Sequence, residues 1–153
     1  MKMSSKTALL AFAFATPVIL SGCATAEEAI AEAVADTQRA TLLGSEIVSS
    51  SGDTDGYANA EVSIANELDQ ICYDVNDIRN LATINSVSIN RGMRGQTGPS
   101  VLRFEKPNEG GWKGCVKRSE WLEDKLEFQP GNYYVQVSTT EFPNGAIRGQ
   151  LSR

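Results

Sequence analysis

The side chain that most often moves protons or grips a redox metal near neutral pH is missing, because the 153-residue chain contains no histidine. That removes the Ser–His and Cys–His pairs by which many enzymes activate a nucleophile. The reactive types that remain are three cysteines, Cys23, Cys72 and Cys115, and 19 acidic residues. Among the acids, Asp53 and Asp55 stand two apart in Asp53-Thr54-Asp55-Gly56, a spacing at which two carboxylates can converge on a hard cation such as calcium. The bidentate glutamate that closes a calcium loop is missing at the right distance, so a strand-connecting turn is the favoured reading and calcium the weaker one. Asp74, Asp77 and the acids of 120–127 read as solvated charges. Gly92, Gly95 and Gly98 around Arg91 and Arg94 offer backbone N–H groups and positive charge to an anion. They lack the Lys-Ser/Thr ending of a phosphate loop, and turn geometry is the favoured demand on them. No residue is assigned a catalytic role, no cofactor is implied, and an enzyme is not expected.

Cys23 is distinguished by what precedes it. The chain opens on the basic stretch Met1-Lys2-Met3-Ser4-Ser5-Lys6, and residues 7–20 then carry no charge and are mostly Ala, Leu and Phe. Fourteen helical residues rise about 21 Å, short of a bilayer core of about 30 Å, so a spanning helix is the poorer fit. A basic start, a short apolar middle and small residues at the end form the layout of a secretory signal. The ending Leu20-Ser21-Gly22-Cys23 resembles the lipobox of bacterial lipoproteins. The resemblance implies that residues 1–22 are a cleaved signal and that the Cys23 thiol takes a diacylglyceryl group. The competing reading is an ordinary signal cut near residues 24–26, with Cys23 discarded. Acyl chains such as palmitate contribute about 0.8 kcal/mol per buried methylene, so two or three chains anchor firmly where one does not. Ala24, where an aspartate is associated with retention in the inner membrane, leans the expected address toward the outer membrane, facing the periplasm or the surface.

Without residues 1–22 the chain has 131 residues, room for one domain, with 12 basic and 19 acidic residues for a net charge of −7. Such a chain has no electrostatic footprint for nucleic acid or an anionic membrane surface, which leaves anchoring to the acyl groups. Taking Cys23 as lipidated leaves Cys72 and Cys115 in an oxidising compartment, where a pair usually closes. The bond would enclose roughly 44 residues and contribute roughly 4 kcal/mol in the chain-entropy model. Two buried free thiols are the alternative.

The elements that must position these residues are mostly strands. Residues 23–40 are rich in Ala and Glu without a broad apolar stripe and read as a lipidated tether. From Thr41 to Arg153 the period becomes two. Ala58, Ala60, Val62 and Ile64 alternate with polar residues; Ile71, Tyr73 and Val75 follow, with Cys72 on the opposite face. Val87 and Ile89, then 101–104, then Tyr133, Val135 and Val137 mark three more strands, and 147–151 closes the chain. Asn144-Gly145 predicts a hairpin between the last two. A helix is expected over 119–128, with Ser119 as N-cap and Trp121, Leu122, Leu126 and Phe128 on its buried face, leaving Glu120, Glu123, Asp124 and Glu127 mostly in water. The predicted class is all-β, an antiparallel Ig-like or Greek-key sandwich with one short helix.

Three stretches in order resemble the CHRD domain, the chordin-type module common in bacterial exported proteins. They are Ile71-Cys72-Tyr73-Asp74-Val75; then Val87-Ser88-Ile89-Asn90-Arg91-Gly92 through Gly98-Pro99; and then Gly131-Asn132-Tyr133-Tyr134-Val135-Gln136-Val137-Ser138-Thr139 through Ile147-Arg148-Gly149-Gln150-Leu151. Gly114-Cys115-Val116 fits the bacterial form, and the likeness spans about residues 41–152. The family's third strand typically reads Ala-His-Ile-His and its fifth Val-Asn-Val-His-Thr. This chain carries Ser88, Asn90 and Ser138 at the histidines and Gln136 at the asparagine. Residues two apart on a strand share a face, so the family pattern suggests a metal-binding imidazole cluster. Hydroxyls and amides do not hold a transition metal comparably, and a polar hydrogen-bonded patch is the favoured reading here. Arg148 either pairs with an acid or caps that patch. The expected role is a non-catalytic, membrane-tethered envelope module that contacts a protein or glycan. The alternative is a calcium-dependent binding protein or enzyme using carboxylates.

Overall fold

The computed structural model describes residues 36–153 except 49, 66–67, 107–110 and 118–119. The expected signal, the lipidation site Cys23 and the N-cap Ser119 lie outside the described residues.

Period-two patterning organises nearly everything else. Among the described residues the strands are β1 (Asp36–Leu43), β2 (Tyr57–Ala65), β3 (Gln70–Arg79), β4 (Ile84–Arg91), β5 (Ser100–Arg103), β6 (Trp112–Lys117), β7 (Tyr133–Thr139) and β8 (Ile147–Gln150), with one α-helix, α1 (Glu120–Phe128), between β6 and β7. All pairs are antiparallel, in the order β5-β4-β7-β8-β1-β2-β3-β6. The sheet curls so that its two halves face each other, and the inward residues of both merge into one apolar cluster. Ala58, Ala60, Val62 and Ile64 of β2, Val87 and Ile89 of β4, and Val135 and Val137 of β7 are all buried in it. Closure is visible where Tyr73 of β3 stacks on Phe104, just beyond β5, with ring centroids 4.0 Å apart. The Tyr73 hydroxyl donates to the Glu105 carbonyl at 2.6 Å and accepts from the Glu105 N–H at 2.9 Å. The polar tip of a core aromatic is thereby satisfied at the seam.

The sandwich, the helix between β6 and β7 and the Asn144-Gly145 hairpin are as the sequence predicts. In that hairpin β7 and β8 pair with Val137 opposite Ile147, and Gly145 has φ +133°. Cys72 and Cys115 stand directly opposite each other in the β3–β6 register and are bonded, with Cα atoms 3.9 Å apart.

Two expectations change. Strand β1 begins at Asp36, so residues 36–40, assigned above to the tether, belong to the sheet; Gln38, Ala40 and Leu42 point inward. The face of α1 is also different from the one predicted. Leu122 and Leu126, one turn apart, are buried as expected, but Glu123 is buried beside them, whereas Trp121 is 54 % and Phe128 69 % exposed. A nine-residue helix laid on a curved sheet covers one narrow stripe, and here that stripe runs through 122, 123 and 126.

Candidate functional site

On the β5-β4-β7-β8 half, the alternate residues that do not enter the core form a polar face. The register aligns Ser88 of β4, Gln136 of β7 and Arg148 of β8 in one row, and Asn90, Tyr134 and Gln150 in the next. Ser86 faces Ser138. All four positions singled out in the sequence, Ser88, Asn90, Gln136 and Ser138, therefore share one face of two neighbouring strands. The Asn90 amide donates to the Ser88 hydroxyl at 3.3 Å, and Asn90 itself is buried. Gln136 turns toward the hairpin, donating to the Asn144 carbonyl at 3.2 Å. The donor set is hydroxyl and amide throughout. Such groups orient polar ligands; they are poor proton carriers and weak ligands for transition metals.

Arg148 anchors the lower end of this face. It is 2 % exposed, and its guanidinium lies over the Tyr134 ring, 3.5 Å from the centroid. It donates to the Gln96 carbonyl at 2.6 Å and the Met93 carbonyl at 3.0 Å. Of the two sequence readings, capping wins, and the partners are carbonyls of the β4–β5 loop rather than an acid. Burial lowers its pKa, opposed by Tyr134 and Glu46, which raise it, while Arg94 adds to the lowering. A guanidinium remains cationic at neutral pH under such shifts. Gln150 extends the clamp, donating to the Gly92 carbonyl at 2.9 Å and the Tyr133 carbonyl at 2.7 Å. Arg94, on the outside of the loop, pairs with Glu46.

This arrangement decides the meaning of the glycine-rich loop. An anion site needs N–H groups aimed at a common point. Here the Gly92 N–H donates to the Asn132 carbonyl, the Gln96 N–H to the Met93 carbonyl and the Gly98 N–H to the Tyr134 hydroxyl. The loop turns carbonyls inward around a resident cation, Arg148. Turn geometry is the demand on its glycines: Gly95 has φ +78°, and a Cβ on Gly98 would stand 1.8 Å from the Arg91 carbonyl oxygen.

Asp53 and Asp55 are brought together near the base of the β7–β8 hairpin, where the Asp53 N–H donates to the Ala146 carbonyl at 2.8 Å. Asp53 is buried, and burial, followed by the Asp55 carboxylate beside it, raises its pKa above the ordinary value of 3.8. Among the described residues no group of three or more His, Cys, Asp and Glu side chains is placed to hold a metal ion. A carboxyl with a raised folded-state pKa holds its proton more tightly folded than unfolded, so stability falls as pH rises through that range. Asp53→Asn keeps a donor to Asp55 without the second charge. It is therefore expected to raise Tm by a few degrees at pH 7 and to lose that gain at pH 3. Thermal melts at both pH values check this, and an equal shift at the two would count against the pairing.

One further feature was not anticipated. The outer face of β1, β2 and β3 forms a shallow groove of about 630 Å³ lined by polar side chains that include Arg39, Thr41, Asn59, Glu61 and Arg94. Arg39 and Glu61 pair across it at 3.0 Å, and Thr41 donates to Asn59 at 3.4 Å. Asn59 and Glu61 were legible as the wet side of β2; the β1 side was hidden in the presumed tether.

The chain is thus an antiparallel β-sandwich module with a hydroxyl-and-amide face on β4 and β7 and an arginine-clamped loop. The chain belongs to the CHRD domain family, whose model matches residues 38–151. No curated protein and no solved structure is significantly similar to it.

Proposed function

We propose that this chain is a membrane-anchored, non-catalytic CHRD-domain lipoprotein of the cell envelope, held by acyl chains on Cys23 and binding an envelope protein or glycan through its polar sheet face. The observation that carries the reading is the donor chemistry of that face. Ser88, Asn90, Gln136 and Ser138 occupy the positions where the family resemblance expects histidines and their neighbour, and they offer hydrogen bonds without a proton carrier or nucleophile. The lipobox-like Leu20-Ser21-Gly22-Cys23 supports the anchor, and Ala24 supports an outer-membrane address.

The test uses the mature lipidated protein. Capture of a defined envelope protein or glycan that falls at least tenfold in Ser138→Arg, with the near-UV circular dichroism unchanged, is the expected result. Elemental analysis runs in parallel: stoichiometric copper or zinc in the native protein overturns the non-metal reading, and turnover of a substrate overturns the non-catalytic one.

The adjacency of Asp53 and Asp55 favours a second reading, a calcium-dependent module. A thermal shift on adding calcium that disappears in Asp53→Ala supports it; no shift ends it.

A further inference from the structure

Two of the most exposed large apolar side chains lie on α1. Trp121 and Phe128 are seven residues apart, two helical turns, and so occupy the same side of the helix, away from the buried Leu122 and Leu126. Neither is needed by the core. Their place in the fold is specific. Arg153 joins Asp36, the first residue of β1, to the last turn of α1: its guanidinium is 3.2 Å from the Asp36 carboxylate and donates to the Glu127 carbonyl at 2.7 Å. The chain therefore enters the sandwich next to Phe128. The same end of the sheet holds the β2–β3 turn, with Leu68 46 % exposed, since Asp36 pairs with Ile64 and Ile64 with Ile71.

The length of chain before that entry point determines what lies opposite. Cys23 and Asp36 are 13 residues apart, a reach of at most about 45 Å when extended and about 20 Å when helical. An anchor at Cys23 thus keeps this end of the sandwich close to the bilayer, at a high effective concentration of lipid surface. Trp is the side chain most at home at a membrane interface, where its ring is buried and its N–H stays wet; Phe adds apolar depth. Charges at this end are of both signs, with Lys117, Lys125 and Arg153 against Asp36, Asp69, Asp124 and Glu127, so the contact is apolar rather than electrostatic.

We propose that the Trp121 and Phe128 side of α1, with Leu68 beside it, is a membrane-docking surface that seats the sandwich on the bilayer holding its lipid anchor. The inference rests on the anchor at Cys23, and the experiment separates the two. The mature protein is reconstituted in phosphatidylethanolamine–phosphatidylglycerol vesicles after mass spectrometry of its N-terminus. Trp112, the other of the two tryptophans, is buried, so a Trp112→Phe background leaves Trp121 as the only reporter. Expected are a blue-shifted emission, several-fold stronger quenching by lipids spin-labelled near the headgroup than in the same protein held in detergent-free solution after enzymatic removal of the tether, and little change with salt. Phe128→Ser should reduce the lipid quenching at least twofold. An unmodified Cys23 sinks the anchor. A lipidated protein whose Trp121 stays fully open to aqueous acrylamide overturns docking while leaving the anchor intact. A Trp121 shielded from acrylamide but untouched by spin-labelled lipid also overturns docking and assigns the face to a protein or to the tether.

Discussion

Arg148→Ala is expected to destabilise the sandwich by about 3 kcal/mol, with the loop of 92–98 loosening first. Three losses combine. Two charge-assisted hydrogen bonds to the Gln96 and Met93 carbonyls disappear, the contact with the Tyr134 ring is lost, and a void opens beneath the loop. A hydrogen bond to a charged group typically contributes about 1.5–3 kcal/mol. The lower end applies because Met93 and Gln96 are themselves exposed, so their freed carbonyls can reach water. Arg148→Lys should recover part of the loss, since an ammonium reaches one carbonyl but cannot lie flat on the ring. Urea unfolding measures the total. Amide hydrogen exchange locates it: the Gly92, Gln96 and Gly98 amides should exchange faster in Arg148→Ala, while those of β2 and β3 shift only by the global change. A loss under about 1 kcal/mol with loop protection unaltered would show that the loop holds itself.

What the sequence could and could not reveal follows the distance over which each constraint acts. Strands β2, β3, β4 and β7 were legible because their inward residues are large or β-branched and their outward ones polar, a contrast contained within each segment. Strand β1 was not, because its inward residues begin Gln38 and Ala40, and its place in the sheet comes from β2 and β8 rather than from its own pattern. Edge strand β6 reads Trp112-Lys113-Gly114-Cys115-Val116-Lys117, where a glycine interrupts the inward set; the cysteine was its clearest sign. The polar face was legible in composition, since residues two apart on β4 and β7 must share a side. The role of Arg148 was not, because its partners sit more than fifty residues earlier, in a loop whose path over the sheet no local pattern records. The helix misled for a different reason: apolar residues at 121, 122, 126 and 128 span an arc of about 160°, wider than the stripe the sheet covers, and only tertiary packing selects which of them the core takes.

The neighbouring residue makes an independent demand. Gly149→Ala is expected to cost 2 kcal/mol or more, at about the upper end of what overpacking usually does. The two halves of the sheet meet along β8 and β1, and that junction is thin: one strand pair, Leu43 opposite Arg148, and one isolated bridge, Arg39 with Ser152, whose N–H groups and carbonyls bond at 2.7 and 3.0 Å. Between them β1 crosses so close that a Cβ on Gly149 would stand 2.2 Å from the Thr41 carbonyl oxygen and 2.8 Å from a Leu42 methyl. A methyl cannot share that space with backbone, so β8 must move away from β1 and strain both flanking contacts. Restricting the unfolded chain offsets only about 0.4–1 kcal/mol of this. Gly95→Ala provides the contrast, because a Cβ there meets nothing within 4 Å and its cost is confined to the left-handed backbone, about 1 kcal/mol. Chemical unfolding of the two variants separates steric closure from backbone conformation. A Gly149→Ala protein no less stable than Gly95→Ala would mean that β8 and β1 are joined more loosely than this crossing implies, and that the core and the Tyr73–Glu105 seam hold the halves together.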